Sequence, residues 1–357
     1  MLLHFHALTI QNIQQETKDC VSISFNIPAH LKEQFVYVQG QSLTLKTMID
    51  GVDVRRSYSL CSSPLNNEYR IAVKQVDGGV FSTFANTKLK VGSTIDVMPP
   101  IGKFFTALNK NNQKNYVAFA AGSGITPILS IIETTLLTEP HSQFTLVYGN
   151  KNVSSIIFKE ALEALKNKFL QRFQLTHILS RERTDAAINY GRIDTQKLEQ
   201  LNGLINYATT DEFFICGPEE MIFCVKNFLI AQQIDSKKIH FELFAAAAPK
   251  KTNNHTTINT DTTAKSKISI TVDGRSFDFN LPYSGTNILD AALQQGADLP
   301  YACKGGVCCT CKAKLLEGQV QMDVHWGLEQ EEIEQGFILT CQSHPLTEKV
   351  VVDFDVK

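Results

Sequence analysis

The run Tyr116-Val117-Ala118-Phe119-Ala120-Ala121-Gly122-Ser123-Gly124-Ile125-Thr126-Pro127 decides how the middle of the chain folds. Its first six residues are an apolar stretch of strand length. Two glycines follow, and Pro127–Leu137 then reads as a helix. Strand, glycine turn and helix, in that order, is the setting in which a helix N-terminus receives a dinucleotide phosphate. The turn lacks the full G-x-G-x-x-G spacing, so by itself it fits an ordinary tight turn equally well. The same rhythm continues downstream. Gln143–Tyr148, Phe173–Leu179 and Glu212–Cys216 read as strands, and Ser155–Leu170 and Pro218–Ala231 as helices. This alternation predicts an α/β domain with a mostly parallel sheet. Cys216-Gly217-Pro218 then falls at the same carboxyl edge of the sheet as the first glycine turn, although Cys216 also reads as simple packing.

Upstream, from Met1 to about Leu108, short alternating stretches (Cys20–Ile27, Ser42–Met48, Arg70–Val76, Thr94–Met98) are broken by turn residues. They predict an antiparallel β-domain closed as a barrel. Arg56-Ser57-Tyr58-Ser59 ends one strand region, and Gly78-Gly79-Val80-Phe81-Ser82 precedes a short helix. An arginine fork suits a pyrophosphate, and glycines ahead of a helix suit a phosphate. Surface arginines and strand tyrosines are common, so only the two motifs together are specific.

Downstream, Ala245 to Ser266 holds four alanines and a proline, then Thr, Asn and Lys with almost nothing apolar; this reads as a flexible linker. Apolar alternation resumes at Ile268, Ile270 and Val272, then Phe277 and Phe279. A helical stretch at Asn287–Gln295 and an apolar end at Val350–Val356 predict a small α+β domain. The expected boundaries are 1–110, 111–244, a linker at 245–264, and 265–357.

That last domain carries Cys303, Cys308 and Cys311 in the spacing C-x4-C-x2-C, with Cys341 thirty residues on. The spacing is that of a plant-type [2Fe–2S] site. Gly305 and Gly306 let backbone amides approach the sulfurs. A zinc ribbon prefers two close pairs, and a four-residue gap between glycines is unusual for one. Cys309 lies between ligand positions and reads as a buried thiol, as do Cys20, Cys61, Cys216 and Cys224. Glu329, Glu331, Glu332 and Glu334 form an acidic run, either a solvated helix face or a docking surface. His344 reads as a loop histidine, within possible hydrogen-bonding reach of the cluster.

The bulk numbers bound the function. A chain of 357 residues with net charge −2 suggests several domains and no nucleic-acid partner. No apolar run is long enough to span a membrane, and Met1–Asp19 shows no basic segment leading into an apolar one. Of the nine cysteines, Cys303, Cys308, Cys309 and Cys311 crowd into nine residues, which suggests metal ligation, no disulfides and a cytoplasmic setting.

Arg56–Ser59, Gly79–Ser82, Gly122–Pro127 and Cys216–Pro218 occur in the order of the ferredoxin–NADP reductase superfamily. With the cysteine cluster, the chain resembles the oxygenase reductases that fuse flavin, nicotinamide and plant-type ferredoxin (β-grasp-like) domains. The resemblance covers nearly all of the chain outside the linker. It implies FAD binding by Arg56, Ser57, Tyr58, Ser59, Gly78, Gly79 and Ser82. It implies nicotinamide placement by Gly122, Gly124, Thr126, Cys216 and Gly217, with catalytic roles for Ser59, Cys216 and Glu242. Ser180 and Arg181 match a pair that holds the 2′-phosphate of NADPH, which favours NADPH over NADH, although a solvated loop arginine also fits. The segments Cys303–Lys314, Leu315–Gly318 and Leu339–Pro345 are similar to those of phenylacetyl-CoA epoxidase reductase components. That likeness implies a multisubunit di-iron oxygenase as electron acceptor. A reductase for another oxygenase or desaturase, and a non-catalytic redox sensor or carrier, remain open at this point.

Overall fold

The computed structural model describes residues 4–244 and 265–356; the expected linker at 245–264 lies outside the described residues. Two compact units are present. The larger comprises Phe5–Val54 and Tyr58–Phe244, and the second is built on residues 265–356.

In the larger unit, β1 (His6–Thr17), β2 (Cys20–Asn26), β3 (Ser42–Ile49), β4 (Val52–Ser59), β5 (Tyr69–Lys74), helix α1 (Val80–Thr87) and β6 (Thr94–Ile101) come first. The strands form one six-stranded sheet in the order β4-β3-β6-β1-β2-β5. Its two edges meet where Leu60, just past β4, bridges to Ile71 of β5, and Cys61 N–H donates to Arg70 O at 2.8 Å. This contact closes the sheet into the expected barrel and leaves no long free edge. Leu8, Ile23, Leu43, Leu45, Ile71 and Val97 fill its interior. Strand β1 alternates exposed and buried positions over Ala7–Ile10, whereas β2 is buried without interruption from Cys20 to Phe25.

The chain continues through β7 (Asn115–Ala121), α2 (Ile125–Thr138), β8 (Gln143–Asn150), α3 (Lys159–Lys168), β9 (Phe173–Leu179), α4 (Thr195–Leu201), β10 (Glu212–Gly217), α5 (Glu219–Ala231) and β11 (Ile239–Leu243). Its five strands are all parallel, in the order β11-β10-β7-β8-β9. Helices cover both faces, so Val117–Ala120, Leu146–Tyr148 and Phe213–Cys216 are buried without interruption. Sequence periodicity suggests four strands; β11 is a fifth, at the edge. Helix α3 begins at Lys159 rather than Ser155, because Phe158 before it adopts a left-handed conformation (φ 59°). Barrel and sheet meet along α2, where Ser130 donates to Ser62 O at 2.6 Å and Thr134 donates to Ser63 Oγ at 2.9 Å.

The second unit holds β12 (Lys265–Val272), β13 (Arg275–Pro282), α6 (Ile288–Gln294), β14 (Lys312–Glu317), β15 (Val320–Met322), α7 (Gln330–Glu334), β16 (Phe337–Leu339), β17 (Ser343–Pro345) and β18 (Lys349–Asp353). A mixed sheet, β13-β12-β18-β14-β16, packs Ile268, Ile270, Val350 and Val352 against Ile288, Leu289 and Ala292 of α6. The expected α+β fold is present. Asn287 caps α6 by accepting from Asp290 N–H at 2.8 Å, which fixes where that helix starts.

Leu146 is fully enclosed on β8. Leu146→Ala is expected to cost about 2–5 kcal/mol, read as a lowered urea midpoint of the larger unit. An unchanged midpoint would mean that β8 is not clamped on both faces.

Candidate functional site

Successive connections leave β7 in one direction toward β8 and β9; the chain then returns to place β10 and β11 on the other side. The carboxyl ends of β7 and β10 therefore flank the topological switch point, where an open α/β sheet leaves a crevice. Both ends carry glycine turns. Gly122 holds φ +54°, and a Cβ on Gly124 would lie 2.1 Å from the carbonyl oxygen of Cys216. On the facing turn, a Cβ on Gly217 would come within 2.7 Å of Met221 Cε and 3.2 Å of Ala121. The two backbones touch, and no larger side chain fits between them. Thr126 is buried, and its hydroxyl donates to Ser123 O at 3.0 Å, which closes the first turn.

Cys216 is fully buried, and burial pushes its thiol well above the usual range, so it is neutral at physiological pH. The β10–β11 register sets Glu242 beside it. From the barrel, the end of β4 brings Ser59, whose hydroxyl donates to Glu242 Oε2 at 2.9 Å across 183 residues of sequence. Protein atoms crowd this carboxyl, and desolvation raises it to about 7 against the opposing pull of the Ser59 hydrogen bond. Ser59, Cys216, Glu242, Gly124 and Gly217, expected from separate motifs, thus share one crevice.

Strand β4 also carries Arg56, exposed, with Ser57 and Tyr58 half-buried. The Tyr58 ring lies 5.4 Å from that of Phe81, in the first turn of α1. Gly78 (φ +69°) makes the tight turn before α1, and Gly79 caps the helix. A Cβ on Gly79 would meet Ser82 Oγ at 2.4 Å. That hydroxyl accepts from Val76 N–H at 3.1 Å and donates to Gly79 O at 3.3 Å, so Ser82 builds the turn from inside. The exposed arginine, the half-buried tyrosine ring and first-turn amides without a side-chain cap suit a flavin dinucleotide.

At the outer end of the sheet, Ser180 follows β9 and donates to Asn150 O at 3.3 Å, while Arg181 is exposed. A cleft of about 410 Å³ opens nearby, lined in part by Tyr190, Arg192, Asp194, Lys197 and Gln200. Tyr190 is tied to Leu179 by a parallel bridge, and Arg183 lies 5.5 Å over its ring. Neither Ser180 nor Arg181 lines the cleft. The sequence reading missed it, because its walls come from an irregular loop and a short helix with no periodic signal.

In the second unit, the Cys308 thiol donates to Cys303 Sγ at 3.0 Å, and Gly305 N–H donates to the same sulfur at 3.3 Å. Cys303 is thereby lowered to about 6. Cys311 and Cys341, both buried, form a second thiol pair. Among the described residues no three Cys, His, Asp or Glu side chains converge on one point as a mononuclear site requires. Two thiol pairs with backbone amides beside them instead suit two irons, each taking one pair. Gly306 (φ +71°) and Gly327 are required here, since Cβ atoms would lie 2.7 Å from Val324 O and Cys308 O respectively.

Four expectations need correction. Cys309 and Cys224 are half-buried rather than buried. Glu332 is not part of a solvated or docking face: it is 7% exposed, pairs with Lys312 Nζ at 2.9 Å and accepts from Glu329 N–H at the start of α7. His344 lies on β17 rather than in a loop, and its Nε2 sits 3.2 Å from Asp323 Oδ2.

Comparison with known proteins agrees with this division. Residues 7–106 match the oxidoreductase FAD-binding domain, 119–227 the oxidoreductase NAD-binding domain, and 270–346 the 2Fe-2S iron–sulfur cluster binding domain. The chain is 46% identical to one of the subunits of the 1,2-phenylacetyl-CoA epoxidase of Escherichia coli, covering 99% of this chain and 98% of that one. It is 31% identical to the ferredoxin reductase component of 3-ketosteroid-9-alpha-monooxygenase of Rhodococcus rhodochrous, over 97% and 96% of the two chains. Phthalate dioxygenase reductase shares the fold over 98% of both chains, with a TM-score of 0.58 at 23% identity. Fold and site together define an oxidoreductase that uses a pyridine nucleotide, FAD and a [2Fe–2S] cluster for electron transfer. The chain belongs to the ferredoxin–NADP reductase superfamily, in the branch fused to a plant-type ferredoxin domain that includes this Escherichia coli epoxidase component.

Two outcomes are expected. Gly124→Ala should lower nucleotide-dependent ferricyanide reduction at least about tenfold, because the added carbon overlaps a backbone carbonyl that cannot move alone. An unaffected rate would show that the two turns separate freely. Glu242 binds its proton more tightly when folded, so its contribution to stability holds below the ordinary carboxylate range and fades as pH rises through about 7. The urea midpoint of the larger unit should therefore fall as pH rises through about 7, and Glu242→Gln should lose that inflection. An inflection that persists in the variant would assign the titration elsewhere.

Proposed function

We propose that this protein is the reductase of a multisubunit di-iron oxygenase, the phenylacetyl-CoA 1,2-epoxidase of phenylacetate degradation, and that it draws its electrons from NADPH. The observation that carries this reading is the 46% identity to the Escherichia coli epoxidase component along nearly the full length of both chains. The 31% identity to a ketosteroid monooxygenase component supports the second reading, a reductase of the same build serving another oxygenase.

The residue roles are assigned in the same way. Arg56, Ser57, Tyr58, Gly78 and Gly79 hold FAD, with Ser82 shaping the turn under its phosphates. Gly122, Gly124, Thr126, Cys216 and Gly217 form the floor on which the nicotinamide rests. Ser59 and Glu242 form a hydrogen-bonded pair that passes a proton at the crevice. Ser180 and Arg181 take the 2′-phosphate, for which a guanidinium fork is the natural receptor. Cys303, Cys308, Cys311 and Cys341 bind the cluster. The bound cofactors supply hydride acceptance and single-electron transfer, and the protein supplies position and electrostatics. Domains at 1–110, 111–244 and 265–357, joined through 245–264, fit the three family matches. No helix among the described residues is long and apolar enough to cross a membrane, and a cytoplasmic site of action is consistent with that.

The test is NADPH oxidation by this protein with a phenylacetyl-CoA oxygenase complex, with and without phenylacetyl-CoA. Stimulation by substrate, with epoxide formed, is expected. Fast reduction of ferricyanide with no such stimulation would remove the epoxidase assignment. Arg181→Ala should lower kcat/KM for NADPH at least about tenfold and leave NADH nearly unchanged, the loss of one charge-assisted phosphate contact. Equal losses for both nucleotides would remove Arg181 from phosphate recognition.

A further inference from the structure

The glycine turn at the switch point is held from the core side by a residue outside every motif named so far. Tyr148, on β8, donates its hydroxyl to Gly122 O at 2.9 Å. Its side chain is fully buried, in one apolar cluster with Cys20, Cys61 and Ala72 of the barrel and Ile125 of α2. The ring of His177, on β9, lies 5.9 Å from that of Tyr148. Burial pushes the phenol well above its usual range, so it keeps its proton and remains a donor at working pH.

This bond fixes more than one atom. A trans peptide is planar, so its N–H points opposite to its C=O. With Gly122 O held toward the core, the Ser123 N–H of the same peptide faces the other way. That side is open: Gly122 and Ser123 are half-buried, and a Cβ on Gly122 would meet nothing within 4 Å. Ser123 N–H lies at the entry to α2, where amides have no acceptor within the helix. Gly122 holds φ +54°, but glycine adopts either sign of φ at little cost, so its own preference does not hold this peptide. Ile125 N–H is shared between Gly122 O and Ser123 O. The Tyr148 hydroxyl is the undivided bond.

We propose that Tyr148 is a positioning residue for the pyridine nucleotide: it holds the Gly122–Ser123 peptide so that Ser123 N–H serves as a donor to the pyrophosphate. This inference rests on the reading above that places the nucleotide on Gly122 and Gly124. Buried as it is, Tyr148 reaches the nucleotide only through the turn. The pyrophosphate is common to NADH and NADPH, so Tyr148 sets affinity for both and does not choose between them.

The experiment uses the full-length holoprotein. Tyr148→Phe removes one oxygen and keeps the ring, so the core stays filled. In ferricyanide turnover the KM should rise about fivefold for NADPH and NADH alike, the loss of one buried hydrogen bond, with kcat changed less than about twofold. Competitive inhibitors then locate the loss. ADP-ribose carries the pyrophosphate, and its inhibition constant should rise by about as much as KM. Adenosine 2′-monophosphate lacks the pyrophosphate, and its constant should stay the same. Equal weakening of the two inhibitors overturns the proposal, because it assigns Tyr148 to packing of the whole domain. Weakening of neither overturns it as well. If the variant loses its flavin bands, amide exchange in the wild-type protein replaces it: Ser123 should be slowed by ADP-ribose and not by adenosine 2′-monophosphate, and an unslowed Ser123 overturns the proposal. Failure of ADP-ribose to compete with NADPH in the wild-type protein overturns the underlying reading and the proposal with it, and is distinguished because no variant is needed to see it.

Discussion

The contact between two glycine turns, Gly124 against the carbonyl of Cys216, sets the geometry on which the larger unit depends. It requires β7 and β10 to be nearest neighbours, which only a reversal of strand order at this point provides. It also brings the N-terminus of α2 to the end of β10, so first-turn amides and a strand end face the same crevice. A side chain at either glycine would separate them. The hydrogen bond from Ser59 to Glu242 then places the rim of the barrel against the same crevice, so residues 59, 124, 216 and 242 share one site although 183 positions separate the first from the last.

Electrostatics in that crevice follow from burial. Cys216 is neutral because its thiolate would be desolvated, and Glu242 is held near its titration midpoint at neutral pH for the same reason. The crevice floor thus carries little fixed charge while retaining one group able to gain or lose a proton. In the second unit the balance is struck differently. Cys303 is lowered by hydrogen bonds from Cys308 and Gly305, while Cys308, which donates to it, is raised.

How much of this was legible depended on whether the signal was local. The strand–turn–helix at residues 116–137 and the spacing of Cys303, Cys308 and Cys311 are local, and both led to the right architecture. Strand β11 was harder to read: it has five residues, one face is partly open, and its pairing partner lies over twenty residues away. The late start of α3 was invisible because Ser155–Leu170 is amphipathic throughout, while the backbone at Phe158 is set by tertiary packing. The cleft by Tyr190 and Arg192 is made by a loop, where neither period nor propensity speaks. A chain-wide pairing such as Ser59 with Glu242 could be expected only through resemblance, since no spacing rule links such distant residues.

The acidic run shows why counting charge in sequence misleads. Four glutamates within six residues suggest one solvated face, but helical geometry turns Glu332 inward. There Lys312 neutralises it, and its carboxylate caps the helix it begins. That inward residue fixes the orientation of α7 and so determines which carboxylates reach solvent. One glutamate therefore acts as a structural pin, while Glu331 and Glu334 on the same helix are exposed. The same division holds at the adjoining turn, where Gly327 is locked to the cluster loop and Trp326, one residue earlier, is turned outward. In both places a buried contact of one residue leaves a neighbour in sequence facing solvent.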